Sequence, residues 1–156
     1  MTSLLTFLHI ASVIWFVGGV FFIQGQAILR ARSDHLVVIA AAQRSIIVAD
    51  RIFIEPGSFL VPLFGLANAI SQGRNLLEVS WLSTAIILFI VAVIPGVAYH
   101  IPASRRITRL LQAAEQQGMV TPELQAAVRS PALMWVGYFQ ILLFVIILAL
   151  MVFKPF

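Results

Sequence analysis

The chain contains no cysteine in its 156 residues, which excludes disulfides, iron–sulfur clusters and thiolate metal sites and leaves the compartment open. Charge is nearly as scarce: only 10% of residues are Asp, Glu, Lys or Arg, against about 25% in soluble domains. A chain so poor in charge belongs in a bilayer. Histidine occurs three times, too few for two haems each held by two histidines. No Ser-His-Asp arrangement, phosphate loop or zinc signature is present. There is also no internal repeat and no low-complexity tail.

In place of charge the chain has apolar runs, with 61% hydrophobic residues and a mean hydropathy of +1.02. Four stretches, Leu4 to Ile28, Ile52 to Ile70, Val79 to Ile101 and Ala132 to Phe153, approach or exceed the roughly 20 apolar residues that cross a hydrocarbon core as a helix. The first lacks a basic n-region and a small-residue cleavage site and is too long for a signal-peptide core, so it reads as a mature transmembrane helix. The pattern predicts an all-α fold, an integral membrane four-helix bundle with amphipathic helical connections, as one transmembrane domain over residues 1–156.

The arginines set the expected orientation. Arg30, Arg32, Arg44 and Arg51 lie between the first two runs, and Arg105, Arg106, Arg109 and Arg129 between the last two, while the other side has Arg74 and Lys154. Basic residues favour the cytoplasmic side, so both long connections are expected there and both termini outside. The net charge of +4 is explained by these flanks and calls for no nucleic-acid partner.

Asp34 to Arg51 reads as a helix feeding into the second span, with Arg51 and Glu55 four residues apart and spaced to pair at the membrane boundary. Pro56, Gly57 and Pro62 predict a kink there, and the carbonyls they free must find donors inside the protein. "SQGRNLLEVS" reads as a short external turn. After the third span, "ASRRITRLLQAAEQQGMVTPELQAAVRS" reads as an amphipathic surface helix that stops at Gly118 and restarts with Thr121 as N-cap and Pro122 in the first turn. Pro131 opens the last span.

Chemistry is concentrated at few positions. On helix 1, His9, Ser12, Phe16, Gly19, Ile23 and Gln26 recur at helical spacing, a small and polar face that should point into the bundle. Two readings of it stand: Ser12, Gly18 and Gly19 allow close helix packing with His9 hydrogen-bonded to a neighbour, or a flat cofactor lies on the glycines with His9 as axial iron ligand. Helix 3 ends "VIPGVAYHIP", with Gly96 one turn before His100; here the alternatives are a second ligand position and a histidine reaching for the interface. At about 1.5 Å per residue, His9 and His100 are separated along the axis by roughly 20 Å, so one iron between them is not expected. A haem at His9, at His100, or at His100 with the loop residue His35 remains open. The charges within or near the membrane, Asp50, Arg51, Glu55 and Lys154, are functional candidates by their depth, with a purely structural Arg51–Glu55 pair and a Lys154 anchor as the alternatives.

"LHIASVIWFVGGVFF", "RSIIVADRIFIEPGSFLVPLFGLANAI", "AYH" and the closing "VIILALMVFKPF", in that order over most of the chain, resemble the HemJ-type protoporphyrinogen oxidases and a related family of four-helix bacterial membrane proteins. "LH" followed by "W-x-x-G" also resembles CopD-type copper-resistance membrane proteins. The HemJ resemblance implies a bacterial inner-membrane haem b protein. It would oxidise protoporphyrinogen IX and pass electrons toward a quinone or the respiratory chain. It implies His9 and His100 as the helix 1 and helix 3 histidines, Arg51 and Pro56 around helix 2, and Lys154 in the terminal "KPF". The sequence departs from that family in "FIQGQAILR", where an aromatic–histidine pair is usual, and in a longer connection from Pro102 to Ser130.

The leading expectation is therefore a haem-binding membrane redox protein with Ser12, Gly19 and Gly96 against the cofactor, His9 as first and His100 as second iron ligand, and Arg51 and Lys154 on porphyrin carboxylates. The alternative is a non-enzymatic membrane protein, either a copper or small-solute permease or an accessory subunit. For copper, only Met151 is level with His9, because Met134 sits near the other side. A third outcome is structural histidines with no cofactor. The glycine-bearing faces suit self-association into a homo-oligomer as well as they suit a ligand.

Overall fold

The computed structural model describes residues 2–73 and 80–153, so Arg74 and Lys154 and most of the turn after the second span lie outside the described residues. Helix α1 (Thr2–Arg32) is followed by α2 (Leu36–Ala49), which passes through a π-helical turn, Asp50–Ile54, into α3 (Glu55–Ser71). The second half has the same form. Helix α4 (Ser80–Pro95) passes through a π-helical turn, Gly96–His100, into α5 (Ile101–Gln117), and α6 (Pro122–Val128) and α7 (Pro131–Phe153) complete the described chain.

Three helical stretches, Thr2–Arg32, Ser80–Gln117 and Pro122–Phe153, are long and apolar enough to cross a membrane. Helix α3 has 17 residues, at the lower end of the range of about 17–25 that spans a bilayer. The outward faces agree: Phe7, Ile14, Phe59 and Trp135 are all strongly exposed, an arrangement that is stable when lipid covers it.

Where a proline-induced kink was expected in the second span, the helix carries a π-helical turn, and the third span carries another. Each π-helical turn is followed by a proline at the second position of the next helix, Pro56 in α3 and Pro102 in α5. A proline cannot donate to the turn before it, and a wider turn reassigns the surrounding carbonyls. Trp15 Nε1 donates to the Ile52 carbonyl at 3.0 Å, the group that Pro56 leaves without its α-helical donor. Gln140 Nε2 donates to the Ala92 carbonyl at 2.9 Å on the other pair. The amphipathic helix expected after the third span follows it without a loop, so that Ser80–Gln117 is one helical stretch containing the π-helical turn.

Two helix pairs build the membrane half. Helix α1 packs along α3, and α4 along α7; the pairs meet where α1 crosses α7. The α1–α3 contact is reciprocal: a Cβ on Gly57 would lie 2.7 Å from Phe16 Cδ2, one on Gly65 would lie 2.9 Å from His9 Cε1, and the space beside Gly19 is filled by Phe53. Glycine brings the two backbones close, which dispersion and local hydrogen bonds reward in lipid. At mid-height Phe16 and Phe144 meet edge to face with centroids 5.2 Å apart, and Phe89 joins them.

At the end carrying the long connections, α2, α5 and α6 close over a second core of Ile39, Ile107, Leu111, Leu124 and Val128, joined by Leu133 at the start of α7. This part resembles a small water-exposed helical domain. Gly118 ends α5 at φ +69°, with Met119 N bonded to Ala114 O and Gly118 N to Glu115 O, each at 3.3 Å, the pairing of a Schellman stop. Thr121 caps α6 by accepting from Leu124 N at 3.3 Å.

Candidate binding cavity

Between the two helix pairs, from mid-membrane to the connecting end, lies a cavity of about 980 Å³. Phe16, Val20, Ala92 and Phe144 line its apolar part. Both π-helical turns open onto it: Asp50, Arg51 and Ile54 from one, Gly96, Val97 and His100 from the other. Widened turns recur at functional sites because they redirect side chains that a regular helix would place elsewhere. Here they bring a carboxylate, a guanidinium and an imidazole to one space.

Among the described residues, the enclosed side-chain polar atoms facing no hydrogen-bond partner are Gln24 Nε2, Arg30 Nε and His100 Nε2, and all three residues line this cavity. Buried polar groups are paired in the great majority of cases, so three orphans in one space mark it as a site. Gln24 lies against Gly137 and Gln140 against Gly96; both glycines also line the cavity, and a larger residue at either would displace the amide beside it. Arg30 Nη1 donates to Gln43 Oε1. Gln43, fully buried, in turn donates to Ser104 Oγ at 3.0 Å and Thr108 Oγ1 at 3.1 Å, so the network ties α1, α2 and α5 together.

Arg51 and Glu55 both line the cavity but form no ion pair; among the described residues the ion pairs are Arg44–Glu115 and Arg129–Asp34, each at 2.8 Å. The π-helical turn removes the regular α-helical register on which the expected pairing rested.

The residues singled out from the sequence divide between two places. Arg51, Gly96 and His100 come together at the cavity. His9, Ser12 and Gly19 do not line it. His9 Nδ1 sits 3.1 Å from the Val61 carbonyl oxygen with its ring over Gly65; Ser12 bonds back to Leu8 O at 2.7 Å within its own helix; Gly19 is covered by Phe53. Lys154 lies outside the described residues. Gln24, Arg30, Gln43 and Gln140 were missed. Gln24 and Gln140, amides inside otherwise apolar runs, carried a usable signal, while Arg30 looked like an ordinary flank. No group of three or more His, Asp or Glu side chains that would hold a free metal ion occurs among the described residues.

Helices with lipid-facing apolar surfaces, enclosing a cavity into which a few charged and polar side chains open, define a multi-pass integral membrane protein. The chain belongs to the family described as "Predicted integral membrane protein (DUF2269)", which matches residues 3–155. No curated protein and no solved structure matches it.

Proposed function

We propose that this protein is a haem-binding redox protein of the bacterial inner membrane, similar to the HemJ-type oxidases, with His100 as the iron ligand. The observation that carries the reading is His100 Nε2, enclosed and making no hydrogen bond of good geometry among the described residues, with the Gln140 amide beside the ring, on the wall of a cavity of about 980 Å³, near the upper end of the roughly 300–1,000 Å³ of small-ligand pockets. A neutral imidazole nitrogen with no hydrogen-bond partner is the group that haem iron takes from a protein. The surroundings fit a planar apolar group with acidic edges: Phe16 and Phe144 supply an apolar floor that excludes water, and Arg51 and Arg105 stand ready for carboxylates.

Bound there, haem would supply one-electron redox chemistry whose potential depends on ligand and burial. The chain's own part is to hold and orient. The π-helical turn fixes His100, and Gln140, held on the Ala92 carbonyl, braces Gly96. His9, engaged with Val61 and Gly65, has a packing role in this reading. Eight arginines at the connecting end against two basic residues at the other support an orientation with that end in the cytoplasm and both termini outside. Porphyrinogen oxidation is the reaction to assay once haem is found.

The test is a dithionite-reduced minus oxidised spectrum of the detergent-purified protein from haem-sufficient cells. A near-stoichiometric b-type signal that is lost in His100→Ala and kept in His9→Ala is the expected result. A colourless wild-type protein, or a signal that follows His9, would overturn it.

A further inference from the structure

We infer that the cavity binds an anionic amphiphile, a ligand with an apolar body and a carboxylate or phosphate headgroup, and that Arg30 receives the headgroup. Arg30 is 3% exposed, yet no carboxylate among the described residues pairs with it; its partner is the neutral amide of Gln43. Burying a guanidinium without a counter-charge is costly. Nη1 is taken by Gln43, while Nε has no partner. The edge formed by Nε and Nη2 therefore remains available on the cavity wall, and two parallel N–H groups on one edge match two oxygens of a carboxylate or phosphate.

The rest of the cavity selects the body of the ligand. Its deep end at Phe16, Val20 and Phe144 is apolar, which gives a bare inorganic ion nothing to bind and gives a hydrocarbon or aromatic body a surface to bury. At the exposed rim three arginines, Arg51, Arg105 and Arg109, outweigh the carboxylate of Glu55 and draw negative charge toward the opening. The inference stands apart from the haem reading. A porphyrin with its carboxylates is one amphiphile of this kind; a fatty acid and an anionic lipid are others.

The experiment uses the full chain in a neutral detergent, expressed without haem supply and checked to be colourless, so its outcome is independent of haem binding. Thermal unfolding is followed at matched ionic strength with sodium decanoate, dioctanoyl phosphatidic acid, uncharged dioctanoylglycerol and inorganic phosphate. Saturable stabilisation by about 5 °C or more with the acidic amphiphiles, and none with dioctanoylglycerol or phosphate, is expected. A response to decanoate alone identifies a carboxylate site, and one to phosphatidic acid alone a phosphate headgroup site. Arg30→Gln should lose most of the shift, and so should Gln43→Glu, which places a carboxylate against Arg30 in the ligand's stead. No shift with either acidic amphiphile, an equal shift with dioctanoylglycerol or inorganic phosphate, or a full shift retained in both variants would overturn the inference.

Discussion

Trp15 Nε1 donates to the carbonyl oxygen of Ile52 at 3.0 Å, and Ile52 is the residue four positions before Pro56, which has no N–H to offer it. An indole on one transmembrane helix thus supplies what a proline removed from its neighbour. Trp15→Phe should lower stability by about 1 kcal/mol, the scale of an interhelical hydrogen bond in lipid. In a Pro56→Ala background, where a backbone donor returns, the loss should shrink. Equal losses in both backgrounds, measured by thermal unfolding in detergent, would show that the indole acts by packing alone.

The adjacent glycines of helix α1 should behave in opposite ways. A Cβ on Gly18 meets nothing within 4 Å, whereas one on Gly19 runs into Phe53. Gly18→Ala should be neutral or stabilise by up to about 1 kcal/mol through helix propensity. Gly19→Ala should destabilise by about 1–3 kcal/mol by forcing α1 from the π-helical turn. Melting curves of the two variants decide it.

Gln43 joins Arg30 to Ser104 and Thr108. Gln43→Leu keeps the approximate volume and leaves the buried guanidinium with no partner, so it should cost about 1–3 kcal/mol or more. Ser104→Ala removes one of several acceptors and should cost less. Denaturation of the two variants side by side tests the ranking.

Much of the architecture was legible in local sequence. Apolar runs and the glycine and threonine at 118 and 121 act within one or two helical turns, so composition and spacing reveal them. The face of α1 was partly legible: Ser12, Phe16 and Gly19 are buried as the spacing implied, but toward the connecting end the buried side runs through Gln24, Ala27 and Arg30, where Gln26 was expected. The π-helical turns escaped notice because a proline in sequence signals a missing donor without saying whether the chain kinks or widens.

The sequence by itself determined that this chain spans a membrane as several helices with its positive charge at the connecting end, because hydropathy and charge are sums over neighbouring residues. Only the tertiary structure decided which polar groups share a space. His9 and His100 read alike in the chain, each with a glycine nearby, yet one lies on Gly65 and the other faces the cavity. Arg30 and His100 are seventy positions apart and meet at one cavity because α1 crosses α7 while the π-helical turns re-aim both walls. Crossing points and axial register depend on how side chains of different helices interlock, and no single stretch of sequence contains that.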